Sequence, residues 1–156
     1  MKIQMSGIID DRQFRALTGL SKEKFEKLTQ IFGEVYEEKL EKAHEESVNS
    51  GERKRKRGGG RKSRLATVSE KLFFVLYYLK NYPTFDVLAA AFSISRSKAC
   101  ENFHKLLPVL NETLVFIGSL PHRRFENAED MRKYLEEIDK IIIDATGSPC
   151  KTVQGK

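Results

Sequence analysis

The sequence predicts a mainly α fold: a helix-turn-helix bundle with a basic linker, closing on one C-terminal β-strand. Three observations predict it. Apolar residues recur at helical spacing through successive segments, each opened by a side chain suited to cap a helix. Pro83 and the glycines at 58–60 fall between those segments, where they punctuate rather than interrupt. The run Ile141, Ile142 and Ile143, leading into Asp144, is apolar on both faces and suits a central strand.

A chain of 156 residues fits one domain, or a small domain with extensions, and 40% hydrophobic residues can fill a modest core. No apolar run reaches the roughly eighteen residues that span a bilayer. The opening MKIQMSGIIDDRQF has no apolar stretch of the secretory kind. Cys100 and Cys150 stand in neither metal nor redox spacing. A cytoplasmic location follows.

Charge is distributed unevenly. Residues 53–64, RKRKRGGGRKSR, carry eight of the 28 basic residues and no acid. The remaining 20 basic and 22 acidic residues leave a net of −2, so the whole excess of +6 sits in that segment. Such a concentration points to a polyanionic partner.

The elements follow in order. Residues 1–52 make a helical lead-in and an acidic linker. Ser21 is the expected N-cap, Leu20 and Phe25 a hydrophobic staple, and Phe25, Leu28, Ile31 and Phe32 one apolar face. Beyond residue 36 the chain is acidic and poor in bulky apolar groups, a linker that is helical at first. Residues 53–66 form a flexible basic arm.

Residues 67–120 form the helix-turn-helix domain. TVSE is a capping box, in which Thr67 and Glu70 satisfy each other's backbone. Leu72, Phe73, Val75, Leu76, Tyr78 and Leu79 are apolar over more than one face, which predicts a buried helix. Pro83 ends it. Phe85, Leu88, Ala89 and Phe92 line the inside of the next helix. Ser93, Ile94 and Ser95 make a tight turn, with Ile94 inward and Ser95 capping the helix that follows. Ser93 stands where many such turns carry glycine, so it adopts the turn at some strain. In the second helix Ala99, Phe103, Leu106 and Leu107 face inward. Arg96, Ser97, Lys98, Glu101, Asn102 and Lys105 face outward. Residues 121–156 add a connector helix capped by Asn127, then the strand.

Small Ala89 at the crossing, an apolar plug in the turn and a hydroxyl cap are what a DNA-reading helix pair requires. The candidate DNA-binding residues on that helix are Ser95, Arg96, Ser97, Lys98, Asn102 and Lys105, side chains suited to phosphates and base edges. The arm adds Arg53, Lys54, Arg55, Lys56, Arg57, Arg61, Lys62 and Arg64. Arginines among glycines can enter a minor groove while the helix reads the major one. His44, His104 and His122 share no ligand spacing and suggest no metal site. Cys100 reads as a small buried apolar group.

GRKSRL, YYLKNYPTF, AAFSISRSKACENFHKLL and IDKIIIDATGSP occur in that order. The pattern resembles bacterial insertion-sequence transposases of the DDE type whose helix-turn-helix precedes a ribonuclease-H-like catalytic domain. It covers about residues 20–150. The resemblance implies that Asp144, in the DATxxP stretch, is the first of three metal-binding carboxylates. Gly147 departs from the glutamate often found there. The complete family enzyme uses divalent metal, Mg in the first instance, and no cofactor is expected for this chain alone. Asp139, five residues upstream, would face away from Asp144 on a strand, and residues 145–156 hold no acid. Two-metal chemistry needs several carboxylates, so the chain is expected not to be an enzyme by itself. Its strand would be an orphan from a truncated ribonuclease-H-like domain.

The expected function is therefore the DNA-binding N-terminal portion of a transposase, recognising element ends. Alternatives are a subunit completed by a downstream reading-frame product, and a small helix-turn-helix transcriptional regulator. Expected partners are double-stranded DNA at terminal inverted repeats, and a downstream transposase product or a second copy of the chain. No membrane partner is expected, and the location would be nucleoid-associated cytoplasm.

Overall fold

A computed structural model describes residues 10–51, 63–120 and 127–136. Residues 1–120 and 121–156 form two compact units. The described residues are mainly helical and contain no strand. The expected strand at 141–144, and Asp144 with it, lies outside them.

The first unit begins with α1 (Asp11–Thr18) and α2 (Lys22–Asn49). Asp10 caps α1 by accepting the backbone N–H groups of Arg12 and Gln13. Gly19 ends it at φ 81, the left-handed conformation that a Cβ would strain. Asp11 sets the corner, because its Oδ1 accepts the Lys22 N–H at 2.8 Å. Ser21 caps α2 as expected. Phe14 meets Phe25 edge to face at 5.0 Å, and Phe32 is fully buried.

The acidic stretch after residue 36 is not a separate linker in shape: α2 runs through it to Asn49, about 42 Å in all. Glutamates, lysines and alanine favour helix there. Glu38 pairs with Lys42 along the helix, and Lys39 reaches Glu112 of a later helix at 2.6 Å.

Helix α3 (Val68–Asn81) opens with the capping box. Thr67 Oγ1 accepts the Glu70 N–H at 3.1 Å, and Glu70 Oε2 accepts the N–H groups of Ala66 and Thr67. Leu72, Phe73, Phe74 and Val75 are consecutive and all buried. Four buried neighbours cover every side of a helix, which is possible because α1, α2 and α5 pack around α3. Burial of such side chains stabilises by about 1.5–3 kcal/mol each. Gly33 sits where α2 crosses the start of α3; a Cβ there would meet Val68 at 3.4 Å. Tyr82 ends α3 in the left-handed region at φ 48, its N–H bonded to the Tyr78 carbonyl, and Pro83 after it cannot continue the helix.

Helices α4 (Phe85–Phe92) and α5 (Arg96–Phe116) complete the unit. Phe92 meets Phe74 at 4.9 Å and Tyr77 at 5.6 Å. Helix α5 runs past Pro108, which removes the N–H that would bond the His104 carbonyl. Pro108 is exposed, so water can satisfy that carbonyl. In the second unit, α6 (Ala128–Glu136) is capped by Asn127, whose Oδ1 accepts from Glu129 and Asp130.

Candidate nucleic-acid interface

The turn between α4 and α5 follows from three backbone bonds. Ser93, at φ 54 and ψ 44, donates its N–H to the carbonyls of Ala89 and Ala90, and Ile94 donates to Ala89 at 3.0 Å. This is the Schellman closure of a helix, made here with serine where glycine is easiest. Ser95 then turns the chain into α5, its Oγ accepting the Lys98 N–H at 3.3 Å. Ile94 packs against the core, as its apolar character predicts. Ala89 and Ala99 are both buried, and their small side chains let the helices approach. Phe103 fixes the rotation of α5 by meeting Tyr78 at 4.1 Å, while Tyr78 stacks on Phe85 at 5.3 Å.

That rotation decides which residues look outward. Ala99, Phe103, Leu106 and Leu110 form the buried stripe. At about 100° per residue, Ser97, Glu101, His104 and Pro108 stand opposite it. Lys98 and Lys105 flank this line and are well exposed. Arg96 is exposed at the helix start, 3.6 Å from Asp86 of α4. The Ser95 hydroxyl is engaged in its cap. Asn102, expected outward, lies to one side and is half-buried. It lines a cleft of about 240 Å3 with Lys105, Leu106, Tyr36, Ser63 and Leu65.

Of the basic arm, residues 53–57, 61 and 62 lie outside the described residues. Arg64 is described and exposed, and Leu65 beside it is 4% exposed, packed in the core. The cleft therefore brings the end of the arm against the Asn102 and Lys105 side of α5.

Sequence reasoning passed over two features. Glu101 accepts from Lys98 Nζ and Lys105 Nζ, each at 2.6 Å. Hydrogen bonds from Lys105 and then Lys98 hold its carboxyl down to about 2. The spacings i−3 and i+4 could have signalled this clamp. Lys71 on α3 lies over the Tyr36 ring at 5.1 Å, and partial burial pushes its ammonium pKa down. Only the packing of α2 on α3 creates that contact.

His104 Nδ1 contacts the Cys100 carbonyl at 2.8 Å, and Cys100 is half-buried rather than fully enclosed. His44 is half-buried on α2. Among the described residues, no three His, Cys, Asp or Glu side chains are grouped to hold a metal ion. No described helix is long and apolar enough to cross a membrane.

Residues 63–116 match the model for the helix-turn-helix of DDE superfamily endonucleases. Over 149 residues the chain is 22% identical to a probable transposase for insertion sequence element IS702 from Microchaete diplosiphon. The match covers 96% of this chain and 45% of that protein, so the chain spans a little under half the length of this relative. No solved structure matches the chain.

Proposed function

We propose, from a chain whose residues 63–116 match the helix-turn-helix of DDE superfamily endonucleases, that it recognises the ends of a mobile element as a transposase's DNA-binding portion. Helix α5 lies in the major groove and presents Arg96, Ser97, Lys98 and Lys105. Asn102 and Arg64 serve the flank, and the basic residues at 53–57, 61 and 62 contact phosphates along the neighbouring groove. One observation carries this reading: Ser63 and Leu65, on either side of Arg64, line the same cleft as Asn102 and Lys105 of α5. The described end of the cationic arm thus lies beside a lysine of α5.

The resemblance assigns Asp144 to the first carboxylate of a metal site. The length of the relative favours one further reading: a longer or second polypeptide supplies the remaining carboxylates, and Mg-dependent strand cleavage arises only in the completed protein.

Fluorescence anisotropy tests the proposal. Labelled duplexes carrying the terminal inverted repeats of the source element should bind more tightly than scrambled duplexes by roughly a thousandfold or more, the usual ratio of specific to non-specific binding. Equal, weak binding to both would remove end recognition. A footprint on the upstream promoter alone would make the chain a regulator instead.

A further inference from the structure

We infer that Glu101 determines sequence specificity: its carboxylate reads the exocyclic amine of a cytosine in the major groove, held in place by Lys98 and Lys105. The inference deepens the DNA-binding reading above and rests on it.

The position comes first. Glu101 is diametrically opposite the buried stripe of α5, at the centre of the face that a groove would meet, and its side chain is 40% exposed. An acid there is unexpected, because phosphates on both sides repel it. The two lysines answer that repulsion. Each donates to a different carboxylate oxygen at 2.6 Å, Lys98 to Oε2 and Lys105 to Oε1. The three side chains together carry one net positive charge, so the group suits a polyanion.

The clamp also fixes geometry. Two donors from opposite directions along the helix restrict a side chain that would otherwise sample several rotamers. A carboxylate has about four acceptor sites, so roughly two stay open toward the groove. An ionised carboxylate only accepts. Guanine and thymine present acceptors at that edge, and adenine places an acceptor beside its amine. Cytosine presents the N4 amine without an adjacent acceptor. It is the base that a fixed, acceptor-only group prefers.

The test is selection from a randomised double-stranded DNA library by the full 156-residue chain, in parallel with Glu101→Gln and Glu101→Ala. Anisotropy then follows on the selected duplex and its single-position variants. The native chain should select a C·G pair at one position, with roughly tenfold loss for other bases there. Glu101→Gln should move that position toward A·T, since an amide pairs with both edge groups of adenine. Glu101→Ala should flatten it, leaving neighbouring positions unchanged. Identical selected sequences for all three proteins would overturn the inference, with Glu101→Ala binding every duplex more tightly. In that case Glu101 merely restrains two lysines. A native chain that retains no duplex would overturn the inference and the DNA-binding reading together.

Discussion

The rings of Tyr78 and Phe103 lie 4.1 Å apart, the shortest aromatic contact among the described residues, and join α3 to α5. Because Phe103 belongs to the outward-facing helix, this contact sets how that helix is turned toward solvent. Phe103→Ala should cost about 3 kcal/mol of stability, in the range for a buried phenylalanine that leaves a cavity. Phe103→Leu should cost less. Urea unfolding of the two variants measures the difference. Unchanged midpoints would mean that another contact orients α5.

Ser93 occupies the left-handed region at φ 54 without being glycine. Strain there is worth about 1 kcal/mol, partly offset by the greater freedom of glycine in the unfolded chain. Ser93→Gly should therefore stabilise by about 0.5 kcal/mol, read as a small rise in Tm. A β-branched residue suits this conformation worst, so Ser93→Val should lower Tm. Thermal unfolding followed by circular dichroism decides the sign of each.

If about six of the arm's eight cations neutralise phosphates, affinity for duplex DNA should fall roughly a thousandfold between 50 and 200 mM salt. Replacing Arg61, Lys62 and Arg64 by alanine should lower the slope of log K against log salt by about 0.9 for each contact removed. Anisotropy titrations at several salt concentrations measure both. A slope unaffected by the triple substitution would leave those three residues without a phosphate.

Glu101 loses its proton far below the ordinary glutamate value, at about 2, because Lys105 and Lys98 stabilise the charged form. The folded value is depressed, so the clamp's contribution is complete above about pH 4.5 and fades as pH falls toward 2. Carboxyl carbon shifts should show Glu101 fully ionised from pH 8 down to 4. The double variant Lys98→Ala, Lys105→Ala should return its midpoint to about 4.3. A native midpoint near 4 would mean that the clamp does not persist in solution.

Much of the first unit was legible because its signals are local. The TVSE capping box, the stop at Pro83 and the Ser95 cap each involve residues within a few positions, and each appears where spacing predicts. The continuation of α2 to Asn49 was harder to read. One of its supports is Glu112, more than seventy residues from Lys39, and no local pattern announces that pair. Asn102 shows a different limit. Its polarity groups it with the outward residues, whereas the rotation of α5 turns it toward Leu65 and a cleft. The clamp on Glu101 was visible in its spacing but not in its meaning, because a lone acid among bases reads as ordinary surface. The expected strand and Asp144 lie outside the described residues.

Leu65 seals its side chain into the interior immediately after the last cation of the basic segment. If Arg64 grips a polyanion, as proposed, that grip and the integrity of the bundle are coupled. Whatever holds Arg64 in its native place opposes the escape of Leu65 into water. Nucleic acid that binds the folded chain alone would, at a hundred times its Kd, add about 2.7 kcal/mol of resistance to unfolding.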